Sequence, residues 1–390
     1  MVKIKSLIKE NKFTIAAAFV GFIIFSWIIT FHIGTDIQVH TFMVMKNVLP
    51  VHFVYYLLID LFSGFTKNVY LLGVASIFFL TIAIGAKYLI SEKLIFTEIF
   101  KSETGKKGNE NLNKLLILSI LFVHPVIYYF DFSLPFMHGK IPVNSWHNST
   151  SIFVMPFVLL VFLHSYNYIK FAKTKDLIFL FLYSVICIFT KPNIIAVLLP
   201  VFSLFLLFKY KFTSQFFKGV ISISGILLFI GVFFYFSYYT SNSLDEIQYK
   251  GQKSGIEFAP FKHFLAYSKN IPADLITSSL FPILFSILYF KSIKDKLIIN
   301  YAWSFYFVAA LIGILFIETG PRWAHSNLIW QMIMCNYILF AVTIGLFLKQ
   351  IIEKDLKFNY KDYFLSGIYI LHLLSGFAYL FKLLILNDKG

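Results

Sequence analysis

Phe13–Phe31 reads FTIAAAFVGFIIFSWIITF, an apolar run without a charge, and Gly34-Thr35-Asp36-Ile37-Gln38-Val39-His40 follows it at once. As a helix such a run is long enough to cross a bilayer core of roughly 30 Å. Lys3, Lys5, Lys9 and Lys12 precede it. The run is too long for a signal-peptide core and lacks a small-residue cleavage site, so it reads as an uncleaved membrane anchor.

The rest of the chain repeats the pattern. Of 390 residues, 58% are hydrophobic and only 14% are charged, against roughly 25% charged in soluble domains. That composition excludes a cytosolic globular enzyme, a disordered chain, collagen and a disulfide scaffold. Cys187 and Cys335 sit in apolar runs, so no extracytoplasmic disulfide is expected. Eleven apolar runs are candidates for spans: Phe13–Phe31, Val69–Ile90, Leu115–Phe130, Ile152–Tyr168, Leu177–Thr190, Ile194–Phe208, Val220–Tyr238, Ile276–Phe290, Leu297–Ile317, Leu328–Leu348 and Tyr363–Leu386. Val51–Phe65 is shorter.

Charge decides the shorter run. If Val51–Phe65 does not cross, the loops on the N-terminal side of the membrane carry 23 of the 34 Lys and Arg. If it crosses, those loops face outward, against the positive-inside rule. It therefore reads as an interfacial or re-entrant helix begun by Pro50. The net charge of +15 is thus a sorting signal rather than a nucleic-acid footprint. The expected fold is all-α: one polytopic membrane domain over residues 1–390, with about 11 transmembrane helices. Interfacial helices lie in the first outer loop, 32–68, and a second large outer loop covers 239–275. The aromatic stretch Phe258–Tyr267 in that loop could form an amphipathic helix on the outer leaflet.

The unusual polar residues gather on the outer side. A transporter should keep them at mid-membrane, whereas an enzyme acting on a lipid-linked substrate should gather them at one interface. Asp36 and His40 are four apart, on one helix face, and His52 follows at the start of the short helix. His138 and the group Trp146, His147 and Asn148 open another apolar run, where Asn can cap the helix and the free N–H groups suit a phosphate. Lys191 and Asn193 stand at a Pro-made turn between two runs. Glu318, Arg322, His325 and Asn327 precede a late run. Arg322 is the one arginine of the chain, and its planar fork grips phosphate bidentately. Each group also has a plain structural reading: a capping turn, a snorkelling lysine, a Glu318–Arg322 ion pair. Seven of ten histidines fall on this side, and Asp36 with His40 could hold half of a divalent-metal site.

A first span followed by an outer loop bearing Asp36, and then the short Pro-initiated helix with Tyr55-Tyr56-Leu57-Leu58, resembles the GT-C superfamily of integral-membrane glycosyltransferases. Asn144–Thr150, Thr190–Asn193 and Glu318–Asn327 are similar to blocks in bacterial relatives of that group. The resemblance implies a catalytic acidic residue in the first outer loop, here Asp36, and a polyprenyl-phosphate-linked sugar donor. Many members carry adjacent acidic residues there, whereas Asp36 is flanked by Thr35 and Ile37.

The expectation is a glycosyltransferase of a bacterial plasma membrane, N-terminus cytoplasmic, with its active site extracytoplasmic. It would pass a sugar to an envelope glycan or lipid acceptor. Asp36 would act as general base; Arg322 and Lys191 would hold the phosphate, and His40 or His147 would assist. Partners are the donor, the acceptor and membrane lipid, and no nucleic acid. The alternatives are a surface-polysaccharide polymerase or ligase, and a lipid or solute transporter or flippase.

Overall fold

The computed structural model describes residues 10–31, 33–48, 50–100, 110–128, 139–239, 255–320, 323 and 326–386. Most of it is helical. The long helices are α1 (Lys12–Thr30), α4 (Val69–Lys93, prolonged by a wide turn to Phe100), α6 (Ser149–Phe171), α8 (Asn193–Tyr210), α9 (Ser214–Tyr239), α13 (Leu297–Leu315), α14 (Trp330–Glu353) and α15 (Tyr360–Ile385). Eight described helices are thus long and apolar enough to cross a membrane, or nine if a bent pair counts as one span. That bent pair is α11 (Ile271–Ser278) and α12 (Leu280–Leu288), broken by 69°.

Three expected runs take other forms. Leu115–Phe130 is a short helix, α5 (Glu110–Ser119), then a tight turn to Phe122, and its described continuation to residue 128 is not helical. Leu177–Thr190 is α7 (Thr174–Ile188), 15 residues long, or about 22 Å. Ile276–Phe290 is divided at the bend. The first loop folds into α2 (Asp36–Met45) and α3 (Val54–Phe62), 10 and 9 residues long. At about 1.5 Å per residue neither can cross a bilayer.

The helices pack as apolar cylinders with little amphipathicity. Phe19 is 60% exposed, Ile221 71% and Leu228 66%. Large apolar side chains turned outward on this scale suit lipid rather than water. The belt is compatible with a multi-pass membrane protein. α14 is the reverse case, with almost every residue buried from Trp330 to Ile352, and α5, α6, α8, α12, α13 and the extension of α4 pack on it.

Two irregular stretches enter this interior, where every backbone group needs a partner. The His124 N–H donates to the His372 carbonyl at 3.2 Å, Val126 N–H to the Thr277 carbonyl at 3.1 Å, and Ile127 N–H to Ser375 Oγ at 3.0 Å. In the second stretch Ile141 N–H donates to Ser278 Oγ at 2.9 Å. Asn336 Nδ2 donates to the Ile141 and Ser278 carbonyls at 2.8 and 3.1 Å. Gly376 makes the first passage possible, because a Cβ there would overlap the Phe122 carbonyl oxygen. Asn144, at the end of the second stretch, donates to the Ile120 and Val123 carbonyls at 2.7 and 3.1 Å and accepts from Lys87 Nζ at 2.6 Å.

α1 and α4 run antiparallel. Gly21 of α1 faces Ile84 of α4, and Gly73 faces Ile29. One end of the bundle gathers Asp36, Asn148, Lys191, Glu318 and Trp330. The other carries Lys93, Lys114, Lys170, Lys173, Lys291 and Lys354. At the Asp36 end, β1 (Ile256–Phe258) pairs antiparallel with β2 (Phe316–Glu318), Ile256 opposite Glu318. The amphipathic helix expected around Phe258–Tyr267 is reduced to α10 (Lys262–Tyr267), one and a half turns.

Candidate functional site

The site is assembled from five stretches far apart in sequence. Asp36 opens α2. Gln38 fixes that start: its Oε1 accepts from Thr35 N–H at 3.2 Å and its Nε2 donates to the Ile28 carbonyl at 3.2 Å. The second bond ties α2 to the end of α1. On the following turn Thr41 Oγ1 meets Ser76 Oγ at 3.2 Å, anchoring α2 to α4.

Asn148 caps α6, its Oδ1 accepting from Ser151 N–H at 2.9 Å and Thr150 Oγ1 at 3.0 Å. This leaves its Nδ2 to donate to Asp36 Oδ2 at 2.6 Å. The positive end of α6 thus faces a carboxylate. His40, one turn after Asp36, places Nδ1 2.6 Å from Ser149 Oγ. His147 Nδ1 lies 3.2 Å from Tyr379 Oη, and its ring is 6.0 Å from that of Trp330.

Lys191 arrives from the turn between α7 and α8. Its backbone N–H donates to the Cys187 carbonyl at 2.8 Å, and its ammonium stands 4.2 Å from the centre of the Trp330 ring. A cation over an indole face is held by the ring quadrupole as well as by nearby anions. Asn193 Nδ2 bridges to the Asn327 carbonyl at 2.6 Å and Gln331 Oε1 at 3.1 Å. Asn327 Nδ2 then donates to Glu318 Oε2 at 2.7 Å. The β1–β2 pair fixes the strand that carries Glu318.

Electrostatics separate the roles. Burial works to raise the Asp36 carboxyl, but His147, His40, the Asn148 amide and Lys191 outweigh it and hold it below the usual range. Asp36 is therefore an anion at neutral pH. Burial depresses His40 to about 4, against the pull of Asp36 and with the push of Lys191, so its ring is neutral. Burial also lowers Lys191 to about 8, opposed by Asp36 and Glu318. Tyr56, its ring 5.3 Å from that of His40, is pushed up by burial, Tyr55 and Asp36. The site pairs a fixed carboxylate with a cation that titrates close to physiological pH.

Asp36, His40, His147, Asn148, Lys191, Asn193, Glu318 and Asn327 all belong to this connected group. His52 is one step out, its Nε2 3.5 Å from Tyr56 Oη. Trp146 is buried beside the group, with its ring 6.0 Å from Phe25 and 6.4 Å from Phe122. With Trp330, Lys87 and Ser151 it lines a recess of about 20 Å³, room for one water and not for a phosphate. His138, Arg322 and His325 lie outside the described residues.

Three contributors were missed in the sequence: Trp330 under Lys191, Ser149 against His40 and Tyr379 against His147. Trp330 carried a usable signal, an aromatic at a helix mouth. Among the described residues no group of three His, Cys, Asp or Glu side chains could hold a metal ion. Asp36 and His40 supply two donors, with Asp36 Oδ2 and His40 Nδ1 already engaged. No protein-family model matches this sequence, and neither does any curated protein or solved structure.

Proposed function

We propose that this chain is a polytopic membrane glycosyltransferase of GT-C type. It would take a sugar from a polyprenyl-phosphate donor and pass it to an envelope glycan or lipid at the extracytoplasmic face of a bacterial plasma membrane. The observation that carries the reading is the convergence of Asp36, His147, Asn148 and Lys191 at one end of the bundle. On this reading the lysine-rich end faces the cytoplasm, in keeping with the positive-inside rule, and α7 and the α11–α12 pair bring the crossings towards the expected eleven.

In the proposed reaction the acceptor hydroxyl attacks the anomeric carbon while the bond from that carbon to the phosphate oxygen breaks. The bonding pair leaves on the phosphate, whose charge Lys191 neutralises, with Arg322 as its bidentate partner. The hydroxyl proton passes to Asp36, and a single displacement inverts configuration. A carboxylate held low is a weak base, so Asp36 takes the proton only as the hydroxyl acidifies in the transition state. Until then it orients that hydroxyl. Asn148 positions the carboxylate. Purified protein in proteoliposomes, offered a panel of polyprenyl-phosphate sugars, tests the reading. Asp36→Asn should lose about 10²–10⁴-fold in turnover with normal expression, and unchanged transfer would refute the assignment.

A second reading, a lipid or solute transporter, is favoured by different observations. Lys87 is buried inside α4, bonded to the neutral Asn144 and 3.8 Å from the Tyr337 ring centre, and the α11–α12 pair is broken. Interior charge and interrupted helices are transporter features. Movement of lipid-linked sugar across the bilayer without any glycosidic product would favour this reading.

A further inference from the structure

The irregular stretch 122–127 passes α15 where Gly376 leaves room for it. One product of that passage is the placing of His124. His372 Nδ1 lies 2.6 Å from the His124 carbonyl, and the Phe281 N–H donates to His372 Nε2 at 3.3 Å. A carbonyl only accepts and an amide N–H only donates, so the proton of His372 sits on Nδ1. Held by that bond and by its own N–H, His124 lays its ring flat on Tyr379, three residues beyond Gly376 on the same helix face. The ring centroids are 4.6 Å apart and the planes 18° apart. Both residues are 1% exposed.

The stack fixes the direction of the Tyr379 hydroxyl, which meets His147 Nδ1 at 3.2 Å. Ser145 Oγ stands 3.5 Å from the same nitrogen. A buried hydroxyl rarely leaves its proton unpaired. Among the described residues His147 Nδ1 is the one acceptor that the Tyr379 hydroxyl reaches, and the Trp146 backbone N–H faces the phenol oxygen as a donor. The Tyr379 proton therefore goes to Nδ1. A neutral imidazole accepts at one nitrogen and donates at the other, so His147 carries its own proton on Nε2.

We infer that Tyr379, backed by His124, is a positioning residue that makes His147 a hydrogen-bond donor at Nε2 and denies it the part of a second base. The use of that donor rests on the transferase reading. Neutral His147 gives its Nε2–H to a phosphate oxygen of the sugar donor, beside the Lys191 ammonium, which approaches the same Trp330 ring. Asp36 is then left as the group that takes the acceptor proton. The tautomer itself is independent of that reading.

The intact protein in nanodiscs, its histidines labelled with heavy nitrogen, is read by proton–nitrogen NMR at alkaline pH, where the His147 ring is neutral despite Asp36. His147→Gln identifies the His147 signals. Nδ1 should be the bare nitrogen of His147, and His372, with its proton on Nδ1, should give the reverse pattern in the same spectrum. Tyr379→Phe keeps the ring and the stack but removes the donated proton. It should cut the ratio of Nε2–H to Nδ1–H at His147 about fivefold, the fold-change that one hydrogen bond makes. A wild-type His147 protonated at Nδ1, or a ratio that Tyr379→Phe leaves unmoved, overturns the inference. In sugar transfer, His147→Gln sets an amide N–H near the place of Nε2 and should outpace His147→Leu, and equal rates remove the donor role. A complete lack of transfer by the wild type removes the proposed function and leaves the tautomer to the spectra, so the two failures are told apart.

Discussion

Asn148 performs two tasks with one amide: its oxygen caps α6 through the Ser151 N–H at 2.9 Å, while its nitrogen donates to Asp36 Oδ2 at 2.6 Å. The carboxylate is thereby fixed to the mouth of a helix that begins more than a hundred residues later.

Replacing Asn148 separates the two tasks. Asn148→Asp retains a capping oxygen but puts a second carboxylate against the first, where like charges raise each other's pKa. Asp36 loses its proton above its folded pKa, so raising that pKa moves the acid limb of any Asp36-dependent rate to higher pH. A kcat/KM profile should show the shift, and because a raised folded pKa of a carboxylate is lost stability at neutral pH, the variant should also lose more thermal stability relative to wild type at neutral pH than at acid pH. Asn148→Ala should instead lose about 1 kcal/mol of capping and show the loss in thermal unfolding.

Lys191 makes the alkaline side predictable. It is cationic below its folded value of about 8 and loses its charge as pH rises through it. If transfer needs the cation, kcat/KM should fall above about 8. Lys191→Arg keeps the charge throughout and should push that limb upward. A limb at the same pH in both proteins would detach it from Lys191. Stability runs the other way: an unfolded lysine binds its proton up to about 10.4, so the Lys191 contribution to stability rises between about 8 and 10.4.

Gly376 admits the Phe122 carbonyl to the surface of α15. Gly376→Ala forces that chain away, and the His124–His372 and Ile127–Ser375 bonds stretch with it. Overpacking costs about 1–3 kcal/mol, so the variant should unfold at lower temperature in detergent. Gly367→Ala, on the same helix with nothing near its Cβ position, should be neutral.

Asn144 and Lys87 are coupled unequally. Asn144→Leu strands two carbonyls and a buried amine, a loss of about 3 kcal/mol or more. Lys87→Met removes the charge at similar volume and should be far milder. In functional assays it should spare sugar transfer, whereas on the transporter reading it abolishes transport.

The apolar runs were legible because the requirement behind them is local: a segment that meets lipid must be long and uncharged, and its composition alone shows this. Lysine placement likewise separated the short helix α3 from the spans. Leu115–Phe130 misled for the same reason. Its residues are as apolar as those of a span, but most of residues 120–126 are buried in protein, and partners such as Ser375 and the Thr277 carbonyl let the chain leave the helix there. Trp146, grouped with the site by type, packs its ring on Phe25 and shares a recess with Trp330.

From sequence alone follow the membrane-compatible helices, the lysine-rich end, and Asp36, His147 and Lys191 as residues out of keeping with their surroundings. Only the tertiary structure decided that Asn148 holds Asp36, that Lys191 lies on Trp330, and that Asn193, Asn327 and Glu318 form one relay. Such contacts depend on distances between chain-distant helix ends. Those distances are set by how apolar surfaces pack against α14, and any one segment read by itself carries no record of what it will meet.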